Sequence, residues 1–162
     1  MNISEIENVL YSWINGLLGH QVIFAYQGNI RPQNEYTLIN IIFQKAIGYW
    51  DTKEERQTDG TIKRDYSNLQ LVTISINTFR ENAFQRAIDI KKSLMVETVS
   101  DLIWTGGLGY VSTTQIQKIP EEINKDFEER GQFDIVFHLR DLETEIITDI
   151  QKIEINNKTI GA

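Results

Sequence analysis

The sequence predicts an α+β domain: a mainly antiparallel sheet of four to five strands, two helices packed on one face, and a long charged hairpin arm. Three observations carry this. Two stretches, at 4–19 and 82–99, set apolar residues at a 3.6-residue spacing. Three others, at 35–48, 66–79 and 133–140, are built for strands, the last in clean alternation. Between the first two strands lies a highly charged segment holding Asp59-Gly60, a hairpin turn signal. The 162 residues fit one domain, 1–162, and 41% hydrophobic content supports a core without disulfide or metal staples.

The first helix is "SEIENVLYSWINGLLG". Ser4 and Glu7 are spaced as a capping box, and Ile6, Val9, Leu10, Trp13, Ile14 and Leu17 form the buried stripe. Gly19 is placed to end it. "QVIFAY" is a short strand, followed by the turn-rich "QGNIRPQN". In the first long strand Ile39, Ile41 and Phe43 share one face and Leu38 and Ile42 the other, so both faces are expected to be covered. Residues 49–66 form the arm. Val72, Ile74 and Ile76 of the second long strand face inward. The second helix spans 82–99, with Asn82 as cap, Gln85 in the box position, and Phe84, Ala87, Ile88, Leu94 and Met95 on its buried side. "DLIWTGGLGYVSTTQIQKIP" turns through its glycines into a third strand. "DFEERGQFDIVFHLRD" supplies the fourth, and "IITDIQKIEIN" a fifth at the edge.

Composition excludes much chemistry. There is no cysteine, so thiolate catalysis, cysteine-zinc sites and disulfides are absent, and an intracellular folding site fits. The start "MNISEIENVL" lacks a secretory layout, and no apolar run approaches a membrane span. A net charge of −7 without a basic cluster argues against tight binding to DNA phosphates.

The acidic run before the last alternating strand poses the sharpest question. Alternation puts Phe127, Glu129 and Gly131 on the core face with Phe133, Ile135, Phe137 and Leu139. A buried, unpaired Glu129 is costly. Either a bulge at Gly131 shifts the register, or Glu129 lies beyond the core and pairs with an arginine. A nuclease-like metal set of Asp126, Glu128 and Asp134 fails on distance, because Glu128 and Asp134 stand about 20 Å apart along a strand. His20 and His138 have no partner at a telling spacing. "TGGLG" lacks the Lys and Ser/Thr of a phosphate loop and is a turn. Trp13, Trp50 and Trp104 suit a core or an interface.

The order of landmarks resembles the phage neck and tail terminator family. The helix ends in "YSWING"; "VIFAYQGNIRPQNEYTLINI" carries the Val-Ile, Ala-x-Gln, Arg-Pro and Tyr-x-Leu landmarks in sequence. "LVTISINTF" precedes an Ala-bearing helix, and "FEERGQFDIVFHLRD" is similar to the family's Glu-Arg-small-x-hydrophobic-Asp strand. The likeness runs from about 9 to 153. It departs at Gly131, where the family more often has Ala, and at Phe79-Arg80, which replaces a Tyr-Gly type turn.

The resemblance implies a non-enzymatic virion protein without cofactors. It implies a ring, commonly a hexamer, at the head-proximal end of the tail, assembled in the host bacterial cytoplasm. The partners implied are other copies of the chain, the tail tube protein, and the neck connector or head-closure protein. Genome DNA would pass without tight binding, and no membrane is involved. Arg130, Glu129 and Glu128 become candidates for the subunit interface, together with Glu54, Glu55, Arg56, Lys63 and Arg64 of the arm. A head-closure or tail-completion protein is the related alternative. A metal-dependent nuclease is the alternative from another class.

Overall fold

The computed structural model describes residues 3–26, 28, 31–123, 126–148, 152–155 and 158–161, with side chains over 3–26, 28, 31–120 and 128–148. The elements are α1 (Ile3–Leu18), β1 (Gln21–Phe24), β2 (Tyr36–Arg56), β3 (Thr61–Phe79), α2 (Ala83–Ser93), α3 (Glu97–Thr105), β4 (Leu108–Thr113), β5 (Gln117–Ile123), β6 (Asp126–Thr148), β7 (Lys152–Ile155) and β8 (Lys158–Gly161). They form two compact units. The first comprises Met1–Ile47 and Leu69–Arg140; the second comprises Gly48–Asn68 and Asp141–Ala162.

The α+β class holds, with more elements than the sequence suggested. Six strands make one mixed sheet in the order β1-β2-β3-β6-β4, with β5 also on β6. The expected third strand is two: β4 and β5 pair antiparallel with different stretches of β6, Leu108↔Leu139 at one end and Gln117↔Gln132 at the other. The sheet is not wholly antiparallel. β1 runs parallel to β2, Gln21↔Tyr36 to Phe24↔Ile39.

In the first unit, one face of the sheet meets the helices. Ile6, Leu10, Trp13 and Ile14 of α1, Ala87 and Ile90 of α2, and Ile103 of α3 close over Ile39, Val72, Ile74, Ile76, Leu108, Phe133, Ile135, Phe137 and Leu139. Those of β3 and β6, Val72, Ile74, Ile76, Phe133, Ile135, Phe137 and Leu139, are the predicted inward sets. Gly19, at φ 65, ends α1 with its amide on the Asn15 carbonyl at 2.8 Å, as its position suggested. The α1 assignment begins at Ile3, so Ser4 lies inside the helix and not at its cap. Leu17 is exposed.

The single helix expected over 82–99 is two. Ser93 donates its hydroxyl to the Ile90 carbonyl at 2.7 Å, a local bond that competes with helix continuation. The same oxygen accepts the Trp13 indole N–H at 2.9 Å. Val96 is extended, and α3 starts anew behind it. Leu94 is therefore buried while Met95 is 76% exposed, against the expectation for Met95. Asn82 precedes α2 in a left-handed conformation, and its side chain makes no capping bond; Gln85 bonds Asp89 instead. The expected two-sided burial of β2 also stops short. Ile39 is fully buried, but Ile42 and Phe43 are about half exposed.

In the second unit, β2 and β3 meet at the predicted turn. Gly60 is left-handed at φ 84, and the Asp59 carboxylate accepts the Thr61 amide at 3.0 Å and hydroxyl at 2.7 Å. These bonds hold the Asp59 carboxyl below its ordinary range. β6 joins the hairpin as a third strand, and β7 pairs with β8 as a separate two-stranded sheet. Part of the expected fifth strand, 149–151 and 156, lies outside the described residues.

Candidate assembly interface

The start of β6 pairs with β5 without a register shift, Pro120↔Glu129 and Lys118↔Gly131. No bulge therefore forms at Gly131. Close packing explains this glycine. A Cβ there would meet the Thr78 hydroxyl at 2.8 Å, the Ala83 carbonyl at 2.9 Å and the Ala87 methyl at 3.0 Å. The start of α2 thus lies directly on β6. Thr78 stitches the junction, donating to the Ala83 carbonyl at 2.7 Å and lying 3.1 Å from the Gly131 carbonyl.

Glu129 resolves by pairing, but with a lysine on the neighbouring strand: Lys118 Nζ is 3.0 Å away. Glu128 is the buried acid. Its side chain is 8% exposed, bonded by Arg31 and lying 2.9 Å from Arg80 Nε, an ionic contact not aligned as a hydrogen bond. Removing such partners strands a buried carboxylate, at a typical cost of about 3–5 kcal/mol. Arg80 also donates to the Pro32 carbonyl at 2.9 Å. The two arginines so tie 31–32 to the sheet.

Arg130 belongs to the same network. It donates to Asn77 Oδ1 at 2.7 and 3.2 Å and to Gln132 Oε1 at 3.1 Å. Its guanidinium lies 5.4 Å from the Phe79 ring centroid, with Arg31 at 5.5 Å. Phe79 in turn stacks on Tyr36, centroids 4.7 Å apart and planes 8° from parallel. This aromatic-arginine stack is structural. Arg80 is left-handed at φ 78, a conformation that favours glycine. Arg86 braces this turn through the Phe79 carbonyl at 2.5 Å and the Glu81 carbonyl.

Several charged residues of the second unit are also engaged internally. Arg64 pairs with Glu54 at 2.7 Å and donates to the Tyr66 hydroxyl at 3.3 Å. That hydroxyl donates to Glu145 of β6 at 3.1 Å. Lys63 holds Asp65 at 3.1 Å, and Asp65 accepts the Thr144 hydroxyl at 2.7 Å. Hydrogen bonds from Thr144 and Lys63 depress the Asp65 carboxyl. Bonds to Tyr66 and Glu54 raise the Arg64 guanidinium. The Glu55 carbonyl accepts the Gln57 amide at 3.3 Å, and Arg56 closes β2. Among the described residues this unit buries no apolar side chain, while Tyr49 is 96%, Trp50 49%, Leu142 53% and Ile146 70% exposed.

The structure thus divides the eight predicted site residues between two places. Glu128, Glu129 and Arg130 lie on the β5–β6 pair, and Glu54, Glu55, Arg56, Lys63 and Arg64 on the ribbon. Sequence reasoning missed Arg31, Arg80, Asn77 and Phe79, which come from distant segments. The Arg-Pro pair and the departure at Phe79-Arg80 were the available signals. Asp126, a member of the rejected metal set, has a side chain outside the described residues. Among the described residues no three His, Asp or Glu side chains converge as a metal site would.

Residues 4–162 match a family described as phage neck terminator protein, and the chain belongs to that family. No curated protein matches. Among solved structures, a chain from the virion of a native gene transfer agent particle is similar over 78% of this chain and 82% of its own, at 18% identity and a TM-score of 0.33.

Proposed function

We propose that this phage neck protein forms a ring that caps the head-proximal end of the tail tube and presents a surface to the neck connector or head-closure protein. The observation that carries the reading is the ribbon of the second unit. It has no buried apolar side chain among its described residues, yet exposes Tyr49, Trp50, Leu142 and Ile146. A ribbon of this kind gains stability from burial against something else. Family membership makes other virion proteins, including copies of the chain, the fitting partners. Glu54, Glu55, Arg56, Lys63 and Arg64 then hold the ribbon in shape at the subunit boundary, and Glu128, Glu129 and Arg130 hold the β5–β6 margin. The net charge of −7 suits a conduit through which genome DNA slides without adhering. Assembly takes place in the host cytoplasm and ends in the virion.

Electron micrographs of the purified protein, alone and mixed with tail tubes, test the reading. Closed rings, and tubes capped at one end, are the expected images. Monomers alone together with uncapped tubes would overturn it.

A further inference from the structure

We propose that copies of the chain join by strand addition between the two edges of the ribbon. The β2 edge of one copy, residues 48–56, lies parallel beside the β6 edge of the next, residues 141–148. The proposal rests on the ring reading above and names the contact that the ring would use.

The sheet order makes β3 the middle strand of the ribbon, with β2 and β6 outside it. β1 pairs with β2 only at Tyr36–Ile39, and β4 and β5 pair with β6 only up to Leu139. Among the described strands, none lies beyond β2 or β6 over the ribbon. One chain therefore presents two open edges, and open edges are templates for further pairing.

Direction also fits. β2 and β3 meet at a tight turn and run antiparallel. Ser75 beside Gln132 and Asn77 beside Arg130 show β3 and β6 antiparallel as well. β2 and β6 thus point the same way, and neighbours related by a simple rotation pair in parallel. A closed ring requires such a contact between two different patches.

The side chains match in level and face. Glu54 lies beside Arg64, Tyr66 reaches Glu145, and Asp65 bonds Thr144 while feeling the charge of Lys53. Counting from the Glu54–Arg64 and Tyr66–Glu145 contacts brings Tyr49 level with Leu142 and Lys53 level with Ile146; in that register the Asp65–Thr144 bond runs diagonally, to a residue two places along β6. Alternation puts all four on the face of Asp65 and Thr144. Strand addition then sets Tyr49 of one copy beside Leu142 of the next, an aromatic-aliphatic pair across strands. The charges of Arg64, Glu54, Lys63 and Asp65 are already neutralised within the ribbon, so Tyr49 and Leu142 supply the apolar part of an otherwise polar contact.

The absence of cysteine permits a direct test. Within one copy β3 separates Tyr49 from Leu142 by two strand spacings, about 10 Å, beyond disulfide reach. The Tyr49→Cys, Leu142→Cys double variant, mildly oxidised, is expected to give a ladder of covalent multimers that ends at the ring size. Each single variant stays uncrosslinked, and a mixture of the two single variants yields dimers only. Should the double variant fail to fold, Lys53→Cys with Ile146→Cys makes the same comparison. Crosslinked dimers of a single variant would mean a two-fold contact and overturn the proposal. Rings of folded double variant without crosslinks would overturn it too, while leaving the ring reading intact. No rings from the unmodified chain, free or on tubes, and no crosslinks would overturn both.

Discussion

Gly131 shows how one missing methyl group sets the distance between layers. Gly131→Ala drives a Cβ against the Ala83 carbonyl and the Thr78 hydroxyl, both below 3.0 Å. The expected loss of stability is about 1–3 kcal/mol, the usual range for overpacking, read as a lower melting temperature. Arg130→Ala strips two bonds from the buried Asn77 and uncovers Phe79. Its expected cost is about 1–3 kcal/mol, in denaturant unfolding, whatever its effect on assembly; unchanged unfolding would show the network to be idle. His20 shares a bond of 2.7 Å with the Thr37 hydroxyl. Burial, and then the nearby Arg86 guanidinium, hold its imidazole below the ordinary 6.5, with Glu35 acting the other way. The unfolded chain therefore binds this proton at a higher pH than the folded one. Stability is full above 6.5 and declines as pH falls from there toward the folded value. Melting curves across that window check this, and His20→Gln should flatten the decline.

At the scale of elements, the ribbon and the helix-covered sheet differ in what holds them. The first unit has a continuous apolar core from α1 to β6. The ribbon relies on ion pairs, cross-strand hydrogen bonds and the Asp59-Gly60 turn, and exposed pairs of this kind add little each. Deleting 52–64 is expected to leave the melting of the first unit within a few degrees of the full chain, and to abolish assembly. Circular dichroism and sizing on the same sample read the two effects. Assembly that survives the deletion would remove the hairpin from the interface.

For the whole molecule, charge sets the relation to DNA. A net charge of −7 neutralises few phosphates. Affinity for duplex DNA is expected to be weak and nearly flat with salt, since the salt slope counts neutralised phosphates. Fluorescence anisotropy with a labelled duplex at several salt concentrations measures both. Tight binding that collapses with salt would instead identify a DNA-gripping face.

Local signals by themselves determined much of this protein. The stripe of α1 from Ile6 to Ile14, the alternation from Phe133 to Leu139, Gly19 and Asp59-Gly60 all did in the structure what their spacing and backbone preferences required. These signals suffice because helix faces, strand faces and tight turns are set by residues close in sequence. Tertiary structure decided the rest. Whether Glu128 or Glu129 is buried depended on Arg31, Arg80 and Lys118, which reach it from other segments. The break after Ser93 depended on Trp13, eighty residues earlier. Gly131 seemed a site for a bulge until Ala83 and Ala87 were packed on it. Glu54 and Arg64 of the arm pair with each other, while Asp65 and Tyr66 bond Thr144 and Glu145 of β6, a strand that periodicity ended too soon. Long-range pairing chooses among acids, arginines and glycines that look alike in the local sequence, and only the folded chain brings the partner that makes the choice.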